Sequence, residues 1–464
     1  MIDREKRLAN ESIPKLLMSF SIPAIIGMLV NALYNIVDRI YIGKMEGVGQ
    51  YAITGVGLNF PIMTVIMAFA MLSGIGAAAT ISIRLGQKKK DEAEHILGNA
   101  FVLSILFSII ITIVGLLSVD KLLLIFGASE NTFDYAKDYI VIILIGTIFN
   151  VTAFSMNHAI RASGNPKRAA STMLIGAVLN TILDPIFIFT FNMGVKGAAL
   201  ATIISQAVSA AWVISYFLTG KSNLKLKVSN FRLDARIVKT IFAIGMSPFA
   251  MQLAASVVSI TANKSLLTYG GDLAVGAMTV INSISTLFLM PIFGINQGFQ
   301  PIVGYNYGAK AYDRVIATLK YAIFAATSIV VVGFIFVQIF APQAIMLFND
   351  NTELVAIGSK GIRIYLFMLP IIGFQIISTN YFQSIGKAKI SMFLSLLRQV
   401  LLLIPLYVLL PRIFGTLTSI WFAGPLADAT ASVLTSFFLF RELKHLKDAH
   451  ESSTENSKLV EESL

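Results

Sequence analysis

One pattern repeats along all 464 residues: an apolar stretch of about twenty residues or more, a short polar break, then another such stretch. Roughly 18 to 20 consecutive apolar residues cross a bilayer as a helix, because the hydrocarbon core is about 30 Å thick and a helix rises about 1.5 Å per residue. Breaks this short leave no room for a soluble domain. Composition agrees, with 56% hydrophobic and 13% charged residues and a mean hydropathy of +0.77. The fold class read from this is an all-α integral membrane protein.

Twelve spans are read, at about 13–41, 52–83, 94–119, 135–162, 168–191, 195–219, 236–268, 273–305, 313–340, 354–384, 388–410 and 415–440. Charge in the breaks supports that number. With the N-terminus placed inside, most of the 36 basic residues fall in inside segments, among them Arg84, Lys88 to Lys90, Arg161, Lys167, Arg168 and six between Lys221 and Lys239. The outside breaks hold only Lys44, Lys121, Lys137, Lys196 and Arg412. Positive-inside bias of this kind predicts an even number of spans and both termini in the cytoplasm; the expected location is the inner (cytoplasmic) membrane. It also accounts for the net charge of +11 without nucleic acid, since no basic, aromatic-interleaved soluble domain is present. Zero cysteines exclude disulfides and thiolate chemistry. The first span is too long for a signal peptide and lacks a small-residue cleavage site, so it is expected to be retained.

The halves repeat. "LGQKKKDEA" (85–93) matches "YGAKAYDRV" (307–315), "SGNPKRAAS" (163–171) matches "IGKAKISMF" (385–393), and Pro23 and Pro185 have counterparts in Pro248 and Pro405, all at an offset near 222. Six spans per copy means that both enter the membrane from the same side, as parallel repeats, and such proteins usually bind substrate between the copies near the midplane. The expected organisation is an N-lobe at 1–219, a cytoplasmic linker at 220–235, a C-lobe at 236–441 and a polar, poorly ordered tail at 442–464.

Acids inside a membrane span are costly and mark function. Of the 25 acidic residues only Asp38, Asp184 and Asp428 lie deep in a span. Counted along the helices, Asp38 lies roughly 5 Å below the outer end of span 1, and Asp184 and Thr202 lie about 10 Å below the outer ends of spans 5 and 6. Asn180 shares a helix face with Asp184 at i,i+4. Asp38, Asn180, Asp184 and Thr202 therefore group as one oxygen-rich cage. Two carboxylates held close in low dielectric need a proton or a hard cation between them, so the cage is a candidate coupling site for H⁺ or Na⁺. The competing readings are hydrogen-bonded acids that only lock helix packing, or Asp38 reaching the outer interface beside Arg39.

Asn31, Tyr34, Asn35 and Asp38 form one polar stripe on span 1, and Asn150, Asn157 and Arg161 another on span 4. Span 7 offers Gln252, Ser256, Ser259 and Asn263, and span 8 Asn282, Asn296, Gln297 and Gln300. Such stripes line a water-filled cavity or join helices by hydrogen bonds. His158 reads better as a packed neutral ring than as a proton shuttle, and Asp428 as a partner for Arg398. "TGKS" (219–222) lacks the first glycine of a phosphate loop, because position 215 is Ser215. No nucleophile, base and metal constellation appears, so neither an enzyme nor a cofactor is expected.

The stretches "SIPAIIGMLVNALYNIVDRIYIG", "GIGAAATISIRLGQKKKDEAEHILGNA", "RASGNPKRAA", "NTILDPIFI" and "GVKGAALATIISQ" closely resemble the multidrug and toxic compound extrusion (MATE) family, in its MepA-like branch. The resemblance covers about residues 10–440. It implies two six-helix bundles related by a pseudo-two-fold axis around a V-shaped cavity, and a monomer that exports lipophilic organic cations (drugs, dyes) from among membrane lipids in exchange for H⁺ or Na⁺. Family cation-site positions fall on Asp38, Asn180, Asp184 and Thr202. Substrate-lining positions fall on Asn31, Tyr34, Asn157 and Gln206, to which the polar stripes add Asn35, Asn263, Asn282 and Gln297. One branch of the family carries an acid in span 7, where this chain has Gln252, Ser256 and Asn263. A flippase for lipid-linked saccharides is the alternative within the fold; it would favour a cationic cavity, for which Arg161, Lys264 and Arg398 are the candidates.

Overall fold

A computed structural model describes residues 2–220, 222–348 and 351–462, and side chains from 6 to 448 within those ranges. Lys221, at the start of the expected linker, and the last two residues of the expected tail lie outside the described residues. A short amphipathic helix, α1 (Ile2–Asn10), precedes α2 (Ile13–Gly43). There follow α3 (Gly49–Leu58), α4 (Phe60–Gly86), α5 (Lys90–Ile125), α6 (Glu130–Ala162), α7 (Pro166–Pro185) and α8 (Gly194–Leu218). After the connection come α9 (Ala235–Gly308), α10 (Tyr312–Met346), α11 (Thr352–Tyr365), α12 (Leu369–Ser384), α13 (Ala388–Leu396), α14 (Ile404–Phe414) and α15 (Leu417–Glu462). The described residues contain no strand.

Nine of these helices are long and apolar enough to span a membrane, α13 and α14 joined by the π-type turn between them (Ala388–Phe414) make a tenth, and the pair α11 and α12, bent by 50°, makes an eleventh. The twelfth is inside α9. At about 1.5 Å per residue its 74 residues would reach roughly 110 Å, far beyond any bilayer. It folds back at Gly271, where φ of 65° and ψ of −167° suit a residue without Cβ. The twelve expected spans are thus present, six before the connection and six after it.

Several spans are less uniform than expected. The segment read as one helix at 52–83 is two, α3 and α4. Pro61 in the first turn of α4 has no N–H to give to Gly57, so the preceding helix must end there. Asn59, fully buried at the break, donates to the carbonyls of Gly55 (3.3 Å) and Ala136 (3.0 Å), which satisfies the end of α3 and ties it to α6. The fifth and eleventh spans each contain a wide π-type turn, at Ile186–Thr190 just after Pro185 and at Leu397–Leu403 just before Pro405. Helix continues through the stretch expected to be a poorly ordered tail, as far as Glu462.

Two compact units emerge, and their borders differ from the expected 219 and 236. One contains Ile22–Leu253, the other Arg7–Ser21 with Ala254–Leu464. The chain therefore changes unit inside α2, next to Pro23, and inside α9, a few residues after Pro248. Close helix crossings explain both. In the first unit a Cβ on Gly76 of α4 would come within 2.2 Å of the Ile241 carbonyl, and one on Gly245 within 2.0 Å of the Leu72 carbonyl, so α4 and the start of α9 touch backbone to backbone. In the second unit a Cβ on Gly298 would meet Ser21 Oγ at 2.6 Å and Ser21 N at 2.8 Å. Gly76 and Gly298 are repeat partners at the same offset as the loop motifs.

Polar anchors fix the segments leading into these two helices. In the first unit Asn99 donates to the carbonyls of Asn230 and Arg232 (both 3.3 Å) and accepts from the Asp234 N–H (2.9 Å). Buried Glu94 accepts from the Lys225 N–H (3.1 Å) and pairs with Lys227 (2.5 Å), whose ammonium it holds above its usual pKa range. In the second unit Arg314 donates to the carbonyls of Leu8 (3.1 Å) and Glu11 (2.8 Å), carbonyls that the end of α1 leaves unpaired.

Candidate functional site

The cage forms within the first unit. Asn180 and Asp184 sit one turn apart on α7, so the Asn180 amide donates to Asp184 Oδ1 at 3.1 Å. The same amide reaches Thr202 Oγ1 of α8 at 3.4 Å, joining the two helices. Asp184 is fully buried, Asn180 and Asp38 nearly so. Asp38 on α2 faces Asp184 within electrostatic range, and its exposed neighbour Arg39 acts on it from the same helix. Reaching the outer interface is therefore not what Asp38 does, since it is 8% exposed.

Three buried oxygens of the cage, Asp38 Oδ1, Asn180 Oδ1 and Asp184 Oδ2, have no hydrogen-bond partner among the described residues. An orphaned buried acceptor costs about 1–3 kcal/mol, more when charged. A proton shared between Asp38 and Asp184 can satisfy the two carboxylate oxygens, and a hard, oxygen-preferring cation can satisfy all three. That donor set holds only two acids, and no group of three or more His, Asp or Glu residues suited to a tightly held metal exists among the described residues. An exchangeable ion fits it better than a resident one.

Tyr139 completes the site and is absent from the grouping that the sequence suggests. It comes from α6, is 4% exposed, bonds Thr202 and interacts with Asp38, Tyr34 and Asp184. Its sequence context, "FDYAKDY", looks like an interfacial aromatic after a charged loop. Depth is the signal that could have found it: nine residues into α6 it lies about 13 Å below the outer end, near the level of Asp184.

The substrate stripe divides. Asn35 donates to the Asn31 carbonyl (2.7 Å) and to its Oδ1 (3.3 Å), while Tyr34 interacts with both asparagines and with Asp38. Asn31, Tyr34 and Gln206 are half-buried and Asn35 is exposed. Asn157 is different: its amide donates to the Ala169 carbonyl at 2.7 Å, tying α6 to α7, so its nitrogen serves packing. Asn263, Asn282 and Gln297 belong to the second unit, where the first two are exposed and the third half-buried, and take no part in the cage.

Three other singled-out residues have the following surroundings. His158 packs against Phe154 at 4.7 Å between ring centres. Asp428 forms a buried ion pair with Arg398, as expected from sequence. Arg161 is buried with one Nη on Met173 Sδ (3.6 Å).

The MatE family model matches residues 23–186 and 248–409, in two blocks that follow the internal repeat. The chain is 28% identical to a multidrug export protein MepA of Staphylococcus haemolyticus (strain JCSC1435) over 431 residues, 93% of this chain and 94% of the relative. Among solved structures it is similar to one described as the outward-facing conformation of a multidrug resistance MATE family transporter of the MOP superfamily, with a TM-score of 0.89, 27% identity, and coverage of 95% of this chain and 98% of the other. The same values hold for a MOP superfamily transporter from Pyrococcus furiosus Vc1 (DSM3638), described as having a binding pocket of reverse polarity that suggests a different function.

Proposed function

Because the chain belongs to the MatE family, whose members transport rather than catalyse, we propose that it is a secondary active multidrug exporter, exchanging lipophilic, mostly cationic organic compounds for H⁺ or Na⁺ by alternating access. The observation that carries this reading is the cage, with two buried carboxylates and three unpartnered oxygens. A cage without its ion keeps negative charge beside the half-buried face of Tyr34, Asn31 and Gln206, where a cation is attracted. Filling the cage with H⁺ or Na⁺ removes that attraction. Ion and drug then lower each other's affinity, and by reciprocal linkage an inward ion gradient drives the drug outward.

Asp38 transmits the change through α2. Pro23 removes the backbone hydrogen bond that would bridge that point, so the part of α2 carrying Asn31, Tyr34 and Asp38 is free to reorient when the charge on Asp38 changes. Asn157 contributes its amide oxygen, and Asn263, Asn282 and Gln297 contact the drug from the second repeat. The chain works as a monomer in the inner membrane, with both termini in the cytoplasm. The flippase reading has less support, because one of its three cations, Arg398, is neutralised by Asp428.

Purified protein in liposomes, loaded with a fluorescent lipophilic cation and given a pH gradient or a Na⁺ gradient alone, tests the proposal. One gradient should drive efflux, and Asp38→Asn and Asp184→Asn should reduce it to the rate without a gradient. Full gradient-driven efflux by Asp38→Asn would remove the coupling role.

A further inference from the structure

A second charged site lies far along the chain from the cage, in a cleft of about 720 Å³ within the second unit. The start of α13 forms one wall, with Lys387 and Ile390. Three turns of α15 form the other, with Phe438, Arg441, Glu442, Lys444, His445 and Asp448. Glu442 is 7% exposed and binds Lys387 at 2.5 Å, so one acid of the cleft is committed to holding that lysine in place. Asp448 is the other acid. Arg441 and Lys444, three residues apart on α15 and so on one face of it, both have exposed side chains.

Two further features give the cleft its chemistry. The chain enters α13 through Gly386 at φ 79°, whose carbonyl takes the Ala388 N–H (2.9 Å); with no side-chain cap, the N–H groups of Lys389 and Ile390 and the positive end of the dipole lie beside Lys387. Uncapped N–H groups with adjacent cations favour a phosphate. Along α15, Val433, Phe437 and Phe440 form a strongly exposed apolar stripe, 62–74% accessible, at spacings of four and three residues. The next residue on that stripe is Lys444, about 6 Å further along the axis. An acyl chain lying on the phenylalanines brings its headgroup to Arg441 and Lys444.

We propose that this cleft binds the phosphate of an anionic phospholipid headgroup, with the acyl chains on the face of Val433, Phe437 and Phe440. Arg441 and Lys444 contact the phosphate from α15, and Lys387, held by Glu442, together with the α13 N–H groups, contacts it from the opposite wall. Basic clusters at the ends of membrane helices attract anionic lipid by this combination of charge and apolar contact. The assignment is independent of ion coupling and of the transported compound.

The test uses full-length protein in nanodiscs of equal phosphatidylglycerol and phosphatidylcholine, with lipids that survive transfer to detergent counted by native mass spectrometry. Wild type should retain phosphatidylglycerol in preference. Arg441→Gln with Lys444→Gln should lower the retention ratio roughly five- to thirty-fold, the effect of losing one to two basic contacts. Arg441→Lys with Lys444→Arg, which keeps the charge, and Lys320→Gln, an exposed cation outside the cleft, should preserve the ratio. Equal retention of both lipids by wild type, or an unchanged ratio in the double glutamine variant, overturns the proposal. Loss of phosphatidylglycerol on adding inorganic phosphate at constant ionic strength, but not chloride, overturns the lipid assignment in favour of a free phosphate site.

Discussion

Replacing Gly76 with alanine tests why the start of α9 packs in the first unit. The added Cβ would sit 2.2 Å from the Ile241 carbonyl oxygen, and about 1.2 Å of retreat restores van der Waals separation. Both atoms in conflict belong to helix backbones or their first carbon, so no side-chain rotation relieves it, and α4 and α9 must move apart. Overpacking of this kind costs about 1–3 kcal/mol. In a unit of this size each kcal/mol lowers the melting temperature by roughly 2–4 °C, so the melting point should fall by about 2–12 °C. Gly245→Ala strikes the same crossing from the other side, 2.0 Å from the Leu72 carbonyl. The double variant should therefore melt well above the temperature expected from adding the two single effects, because helices already parted accept the second methyl at little cost. Gly57→Ala, with nothing within 4 Å of its new Cβ, is the control and should match wild type or exceed it slightly. Melting is followed as loss of the monodisperse peak on size exclusion after heating in detergent. If Gly76→Ala melts with wild type, or the two effects add fully, the backbone-to-backbone crossing is not what holds α9 to the first unit.

Two further outcomes follow from buried polar groups. Arg398→Ala leaves the buried Asp428 without its counter-ion and should cost about 3–5 kcal/mol, seen as loss of folded protein on size exclusion, whereas Arg398→Met with Asp428→Leu removes both charges and should recover folded protein. Asn99→Ala frees the carbonyls of Asn230 and Arg232 and the Asp234 N–H together; cleavage by trypsin at Lys225, Lys227 and Arg232 should accelerate about tenfold or more, each abandoned hydrogen bond being worth ~1 kcal/mol.

Depth along a helix makes the cage legible in the sequence. Asp38, Asn180, Asp184 and Thr202 are polar and rare at that level, and Asn180 and Asp184 are one turn apart; these properties survive in one dimension. Tyr139 has none of the rarity, since tyrosines near helix ends are common, and its role depends on α6 facing α7 and α8. Asn157 shows the converse. A polar residue facing inward looks the same in sequence whether its amide nitrogen is free or held by a carbonyl such as that of Ala169, and only the neighbouring helix decides. The break at Asn59 is hard to read because both sides of it are apolar and only Pro61 marks it. The unit borders are hidden for another reason: Gly76, Gly245 and Gly298 look like ordinary small residues of membrane helices until a partner backbone approaches them.

The exchange of helix ends between the units has a consequence for biosynthesis. Residues 7–21 are made before the first span is complete, yet their packing partner Gly298 is made only with the eighth span. The first unit in turn closes only once Leu253 has been added, well after its sixth span is complete. Neither half therefore finishes folding while it is the only half in the membrane, and a cut in the connection at 220–234 would leave two fragments that each carry a piece of the other. Separate synthesis of a folded first half would require the nascent chain to extend past the midpoint of the seventh span.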